Sequence, residues 1–258
     1  MESILYDIQQ GVAVITLNRP EKYNAFNREM ALLLQQKLDD ASDNKLVRCI
    51  LITGAGKAFC AGQDLAEVVD PEGPGMQKIL SEHYNPIISR IRNLHKPVLA
   101  AVNGVAAGAG ANIALCCDIT VATLSSSFLQ AFSKIGLIPD SGGTFFLPRL
   151  VGMQKAAAFM MLGEKVTATE AERCGMIYKV LDDSTFLEEA MKMAHTLSNL
   201  PTKALAYTKE ALNLSINNSL SQQLQEEDRL QQLSASTEDF KEGVQAFLEK
   251  RAPVFIGE

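Results

Sequence analysis

Apolar residues run through the first half of the chain in short blocks, each stopped by glycine, asparagine or proline. ILYDIQ and VAVITL flank Gly11 and read as two strands, 4–9 and 12–17, rich in β-branched residues. From Asn27 the spacing lengthens: Met30, Leu33, Leu34 and Leu38 recur at helical intervals with Gln, Lys and Asp between them. VRCILIT (47–53) and PVLAAV (97–102) are continuous apolar runs that end at Gly54 and at Asn103-Gly104, as expected of strands buried on both faces. Between them lie a glycine-rich loop (54–65), a second loop at DPEGPGM (70–76) and one helix whose Ile79, Leu80, Ile87, Ile88 and Ile91 share a side. A further strand is expected at 118–122. Beyond about residue 150 the spacing predicts helices only: 154–162, one opened by the Thr167/Glu170 capping box, then 187–197, 203–215, 220–233 and 237–250, with a short linker from Val180. Alternating strands and helices followed by helices alone place the chain in the α/β class.

Composition narrows the function more than the fold. The 258 residues are 47% hydrophobic and 21% charged, with net charge −6 and a pI near 5.2. That balance offers no general attraction to nucleic acid or to an anionic membrane surface. The apolar runs are interrupted before the ~20 residues that a membrane span requires. Five cysteines stand without CxxC spacing, which fits reduced thiols and gives no metal site. MESILYDIQQG lacks a basic segment leading into an apolar run, so a cytoplasmic protein is expected.

Two stretches carry candidate chemistry. VAAGAGANIALCC (105–117) is almost wholly small and apolar, a composition that lets two backbones, or a backbone and a ligand, approach closely. SKIGLIPDSGGTFFLPRL (133–150) brings an apolar run to Pro139, then sets Asp140 before Ser141, Gly142 and Gly143. Such a turn can present a carboxylate to a pocket. The same aspartate, or Ser141, is also a candidate cap for the helix that follows.

Four landmarks in order, NRPEKYNAFN (18–27), FCAGQDL (59–65), AVNGVAAGAGANIALCCDI (101–119) and IGLIPDSGGTFFLPRLVG (135–152), resemble the crotonase, or enoyl-CoA hydratase/isomerase, superfamily. The likeness extends to AERCGMIYKV (171–180) and FLEKRAPVF (247–255). YNPII (84–88), AFSKIGLIPDSGGT (131–144) and EGVQAFLEKRAPVF (242–255) are most similar to a branch that isomerises ring epoxides of aromatic acyl-CoA thioesters. The resemblance implies a crotonase-like spiral of ββα units with the CoA site (1–200), and a helical C-terminal trimerisation region (201–258). It also implies an acyl-CoA substrate, no metal or redox cofactor (CoA being part of the substrate), and a homotrimer or dimer of trimers.

The chemistry shared by that family is stabilisation of an enolate at a thioester carbonyl by two backbone N–H groups. The family motifs put these donors at Ala61, with Gly62 as the neighbouring choice, and at Ala109 in GAGA. They suggest Lys22, and secondarily Lys57, at the CoA phosphates, and Ala61, Gln63, Asp64 and Leu65 around the adenine. Phe247 and Lys250 are expected to reach the CoA of a neighbouring subunit. Hydratases of the family use two glutamates; the matching positions here are Asn112 and Phe132, neither of which is a useful acid or base. Asp140 is then the acid expected to move a proton, against an apolar wall for which Phe132, Leu137 and Ile138 are candidates. His83, His95 and His195 lie outside the landmarks, and His83 is expected at a solvated helix position. Dehalogenases that lean on tryptophan and naphthoate synthases with tyrosine and serine at positions 143 and 145 fit less well, and an acid-free binding module is opposed by the retained Asp140.

Overall fold

The computed structural model describes residues 2–258. Among these residues, ten strands form two sheets. β1 (Ile4–Gln9), β2 (Val12–Leu17), β3 (Cys49–Gly54), β4 (Ala58–Cys60), β5 (Val98–Val102), β6 (Val105–Ala107), β7 (Ile119–Thr123), β8 (Ser127–Leu129), β9 (Lys165–Thr167) and β10 (Lys179–Leu181) follow one another along the chain. The larger sheet runs β1-β2-β3-β5-β7-β10 and the smaller β4-β6-β8-β9. Pairing is parallel except at the β1–β2 hairpin and between β8 and β9. The helices are α1 (Arg28–Asp43), α2 (Leu65–Val69), α3 (Gly75–Lys78), α4 (Asn85–Asn93), α5 (Ala109–Leu115), α6 (Gly143–Val151), α7 (Met153–Leu162), α8 (Ala168–Arg173), α9 (Phe186–Asn199), α10 (Thr202–Ser215), α11 (Leu220–Ala235) and α12 (Glu238–Glu249). None is long and apolar enough to cross a membrane among the described residues.

The repeating unit is a long strand in one sheet, a short strand in the other, and then helix: β3-β4 before α2–α4, β5-β6 before α5, β7-β8 before α6. The corner inside each of the first two units is a glycine. A Cβ on Gly54 would lie 2.3 Å from the Ala58 carbonyl oxygen, and one on Gly104 would lie 2.2 Å from that of Lys57, so only glycine permits the fold-back.

Both faces of the larger sheet are covered, which explains the unbroken apolar runs. Ile50, Ile52, Val98 and Ala100 share a cluster with Leu34, Leu38, Ile87, Ile91 and Ile113 from α1, α4 and α5. Cys49, Leu51, Leu99, Ala101 and Val121 share the other with Phe186, Ala190 and Ala194 of α9. Each fully buried Ile or Leu stabilises this arrangement by roughly 1.5–3 kcal/mol relative to exposure.

Three expectations are corrected. The chain does not become purely helical after residue 150: β9 pairs antiparallel with β8, and β10 adds to β7 where a linker from Val180 was expected. Strands of three residues are too short to show a period, and partners supplied by the sheets decide them. The single helix expected across 79–93 is two geometries, a π-helical turn at Ile79–Tyr84 and then α4. The loop expected over 70–76 closes into α3 at Gly75.

α10 is fastened to the core by a buried cation. Lys209 is 6% exposed; its Nζ lies 2.8 Å from Asp118, and Arg92 sits on the other oxygen of that carboxylate at 3.1 Å. Lys209 also donates to the Ile91 carbonyl at 2.6 Å. Burial lowers the Lys209 pKa, and Asp118 opposes that shift. Removing the carboxylate would strand two cations, so Asp118→Ala is expected to lower unfolding stability by about 3–5 kcal/mol in urea titrations. A loss below ~1 kcal/mol would show that the pair is dispensable.

Candidate active site

Helix α5 begins at the end of β6, wholly buried, with Gly108 at φ +52° and ψ −127° just before it. That conformation is open to glycine and strained for other residues. The backbone at 60–62 passes directly against it. A Cβ on Gly62 would sit 3.0 Å from the Ala107 carbonyl and 3.6 Å from the Ala109 nitrogen; one on Gly110 would sit 2.5 Å from the Cys60 carbonyl. Small residues here therefore serve backbone proximity, as their composition predicts.

Hydrogen bonding then shows which N–H groups are free. The Ala61 N–H donates to the Tyr23 carbonyl at 2.9 Å. That contradicts its expected role as a free oxyanion donor. The Gly62 N–H is turned to Cys60 Sγ at 3.4 Å, and the Asp64 N–H to the Phe26 carbonyl at 2.8 Å. The Gln63 N–H, between these two, has no acceptor among the described residues, and neither has that of Ala109. Gly62 places the two unused donors on adjoining backbones. Sequence reading missed Gln63 as a donor because nothing in FCAGQDL says which peptide faces inward; the pairing of Phe26 with both neighbours of Gln63 decides it.

Asp140 lies in the next unit, on the turn that leads into α6. It is followed by Ser141 at φ +51° and Gly142 at φ +73°. A serine in the left-handed region costs roughly 1–2 kcal/mol. Its hydroxyl donates to Asp140 Oδ1 at 2.8 Å. Neither residue caps α6: its cap is Gly142, without a side-chain bond. The turn is instead braced from α5. Asn112 Nδ2 donates to the Asp140 carbonyl at 2.8 Å, and Asn112 Oδ1 accepts from Gln130 Nε2 at 2.8 Å. Gly143 makes room for the amide, since a Cβ there would meet Asn112 Nδ2 at 2.4 Å. Thus Asn112, which the sequence resemblance matches to a hydratase glutamate, holds the turn through its amide. Phe132 is buried beside Gly108, within 3.7 Å of its Cβ position.

Burial raises the Asp140 pKa above its ordinary value, and the Ser141 hydroxyl only partly offsets this. The wall around the turn differs from that expected: Leu137 and Ile138 are 39% and 79% exposed, whereas Phe146 and Ile88 approach Gly142. His83 is also corrected. It is fully buried, its Nε2 lies 3.0 Å from Arg28 Nη1, and burial lowers its pKa.

The expected CoA residues are dispersed. Lys22 ends an exposed 3₁₀ turn at Pro20–Lys22, and Lys57 is also exposed. Asp64 caps α2 and binds Arg19 at 2.9 Å, so its carboxylate is occupied. Leu65 is exposed. Arg19 and Asn24, to which sequence reading gave no role, tie the two loops: buried Asn24 donates to the Ala55 and Ala58 carbonyls at 2.9 and 2.8 Å. Phe247 lies with α10–α12 around a cavity of about 980 Å³ that includes neither Asp140 nor Ala109. No hydrogen bond or ion pair joins Phe247 or Lys250 to the 61–65 loop among the described residues.

The enoyl-CoA hydratase/isomerase family model matches residues 7–258. The chain belongs to that family. It is 46% identical over 260 residues to 1,2-epoxyphenylacetyl-CoA isomerase of Escherichia coli K12, covering 100% of this chain and 99% of that one. It is also 46% identical over 255 residues to a Rhodobacter capsulatus protein named "Probable enoyl-CoA hydratase", at 99% and 98% coverage. The crystal structure of enoyl-CoA hydratase from Bacillus anthracis superposes with a TM-score of 0.92 at 32% identity, covering 99% of this chain and 100% of that one. As a member of the enoyl-CoA hydratase/isomerase family, the chain has the crotonase fold and is an enzyme acting on acyl-CoA thioesters.

The raised Asp140 pKa has a consequence for stability. Between the ordinary aspartate pKa and the raised value in the folded chain, the folded chain binds more protons than the unfolded one, so this group makes stability fall as pH rises through that range. Asp140→Asn is therefore expected to melt at a higher temperature than the wild type at neutral pH, with the gap closing toward pH 4. Equal melting temperatures across that range would contradict the burial assigned to the carboxyl.

Proposed function

We propose that the chain is an acyl-CoA isomerase in which Asp140 carries the proton and the N–H groups of Gln63 and Ala109 hold the thioester oxygen. One observation carries this reading: the turn that bears Asp140, a half-buried carboxyl with a raised pKa, is tied through its backbone carbonyl to α5 by Asn112, which is spent on that brace where the family resemblance puts a hydratase acid. Ionised Asp140 takes the proton from C2 of the thioester, and the electron pair moves onto the carbonyl oxygen. The two N–H groups stabilise the resulting enolate, an interaction worth several kcal/mol where water is excluded. The proton returns from Asp140 to C4, moving a 3,4 double bond to the 2,3 position. No atom is gained or lost.

The preferred substrate is the ring-1,2-epoxide of phenylacetyl-CoA. There the same proton relocation accompanies opening of the carbon–carbon bond shared by the two rings, giving the seven-membered oxepin conjugated with the thioester. The 46% identity to the Escherichia coli isomerase supports this choice, as does the apolar lining supplied by Phe132. Water addition needs a second acid or base, which neither Asn112 nor Phe132 provides.

For CoA itself, Lys22 would meet the phosphates and the 61–65 backbone the adenine. Residues 201–258 form the trimerisation region, in which Phe247 and Lys250 extend to a neighbouring subunit. The support is the exposed apolar surface of α11 and α12, where Leu224, Phe240, Val244, Phe247 and Leu248 are 45–83% exposed.

Incubation with the ring epoxide and with a 3-enoyl-CoA is expected to give oxepin-CoA and 2-enoyl-CoA. Asp140→Asn should reduce both rates by roughly 10²–10⁴-fold. Formation of 3-hydroxyacyl-CoA from a 2-enoyl-CoA at a comparable rate, unaffected by Asp140→Asn, would overturn the assignment in favour of a hydratase. Light scattering is expected to give three or six times the 28.0 kDa chain mass; a monomer would exclude the assembly.

A further inference from the structure

Gln63 is held by more than its neighbours' backbone. Its side-chain Oε1 accepts from the Tyr84 hydroxyl at 2.8 Å, and its Nε2 donates to Glu67 Oε2 at 2.8 Å. The other Glu67 oxygen accepts the Arg28 N–H at 2.8 Å, which anchors the chain of contacts on the first turn of α1. Tyr84 is 1% exposed. Its ring meets Phe26 edge-on, with centroids 6.0 Å apart and planes at 74°. Phe26 is the residue whose N–H and carbonyl bind Gly62 and Asp64 at 2.7 and 2.8 Å. Tyr84 thus supports residue 63 by two routes, through its hydroxyl and through the ring beneath the Phe26 pairing.

The π-helical turn makes this possible. It closes with Asn85 N–H on the Leu80 carbonyl, five residues back. A turn of that width lets Ile79, His83 and Tyr84 all be buried, whereas the i and i+5 positions of an α-helix diverge. Local departures of this kind concentrate at functional sites. Packing alone would require only the ring. The hydroxyl adds a buried polar group whose partner is Gln63, a residue whose own N–H has no acceptor among the described residues.

We infer that Tyr84 is a positioning residue: its hydroxyl fixes the Gln63 side chain and so holds the Gln63 N–H in line with the thioester oxygen. This rests on the reading of Gln63 as an oxyanion donor. Such a donor works at 2.7–3.1 Å from the developing oxyanion, and a peptide free to tilt loses that distance in the transition state. Tyr84 is suited to the task because burial, reinforced by the Asp140 and Glu67 carboxylates nearby, pushes its pKa well above that of a free phenol. It remains a donor throughout the working pH range.

The test uses the full-length protein, the Tyr84→Phe variant and a saturated hexanoyl-CoA labelled with ¹³C at the carbonyl. Infrared spectroscopy of the bound thioester reads the polarisation of the carbonyl, and kinetics with a 3-enoyl-CoA read turnover. In the wild type the bound carbonyl stretch is expected below its solution frequency. In Tyr84→Phe the displacement should shrink, kcat should fall about tenfold with KM within about twofold, and the pH profile should keep its shape because Asp140 is untouched. Gln63→Met should give the same spectroscopic loss, and adding Tyr84→Phe to it should cost nothing further. Gln63→Met also carries the test should Tyr84→Phe not fold. An unshifted carbonyl in the wild type would defeat the donor reading itself. A shifted carbonyl that Tyr84→Phe and Gln63→Met leave unchanged would keep the donors and overturn the role of Tyr84.

Discussion

The close approach of two backbones is the constraint on which the site depends. Residues 60–62 run against 107–110 so tightly that a side chain on Gly62 or Gly110 would strike a carbonyl oxygen. Peptides brought together in this way leave two N–H groups without internal acceptors, at Gln63 and Ala109. A donor left without a partner carries a cost that an incoming acceptor oxygen would relieve. Loss of side-chain packing at the glycines, the burial of α5 on every side and the left-handed-region Gly108 are all consequences of keeping that seam open.

The second half of the site is built by reusing an amide. Asn112 projects from α5 and spends both ends of its side chain, one on the Asp140 carbonyl and one on Gln130. A carboxylate there would repel the Asp140 carbonyl oxygen and compete as an acid. The amide instead couples α5, which begins at Ala109, to the turn that carries Asp140. The turn stores strain at Ser141, and the hydroxyl of that residue is bound to the carboxyl it helps to aim. Ala109 and Asp140 are therefore linked through α5 and its Asn112 side chain.

Much of the fold was legible because buried parallel strands leave an unmistakable mark. The runs at 47–53 and 97–102 are apolar throughout, since both faces are covered, and their terminal glycines announce the corners. Asp140 on its turn was equally plain, as was the small-residue segment that became α5. Less was legible where a partner decides the outcome. The three-residue strands β9 and β10 carry no period of their own. The π turn at Ile79–Tyr84 defeats any reading based on 3.6 residues per turn, and His83 was consequently expected in solvent although it is buried against Arg28.

The amino-acid sequence by itself determined the class, the order of the strand and helix units, the family likeness and the identity of the one carboxylate on a glycine turn. These depend on side-chain type and local spacing, which the chain states directly. Only the tertiary structure decided that the Gln63 peptide of FCAGQDL is free while its neighbours are not, because that turns on who accepts each N–H: Tyr23 takes Ala61, Cys60 takes Gly62 and Phe26 takes Asp64. It likewise decided that Asn112 braces, that Lys209 pairs with Asp118 across 90 intervening positions of chain, and that the Tyr84 hydroxyl ends on Gln63. A hydrogen bond has direction and needs both partners in place, so its pattern becomes readable only once distant segments have met.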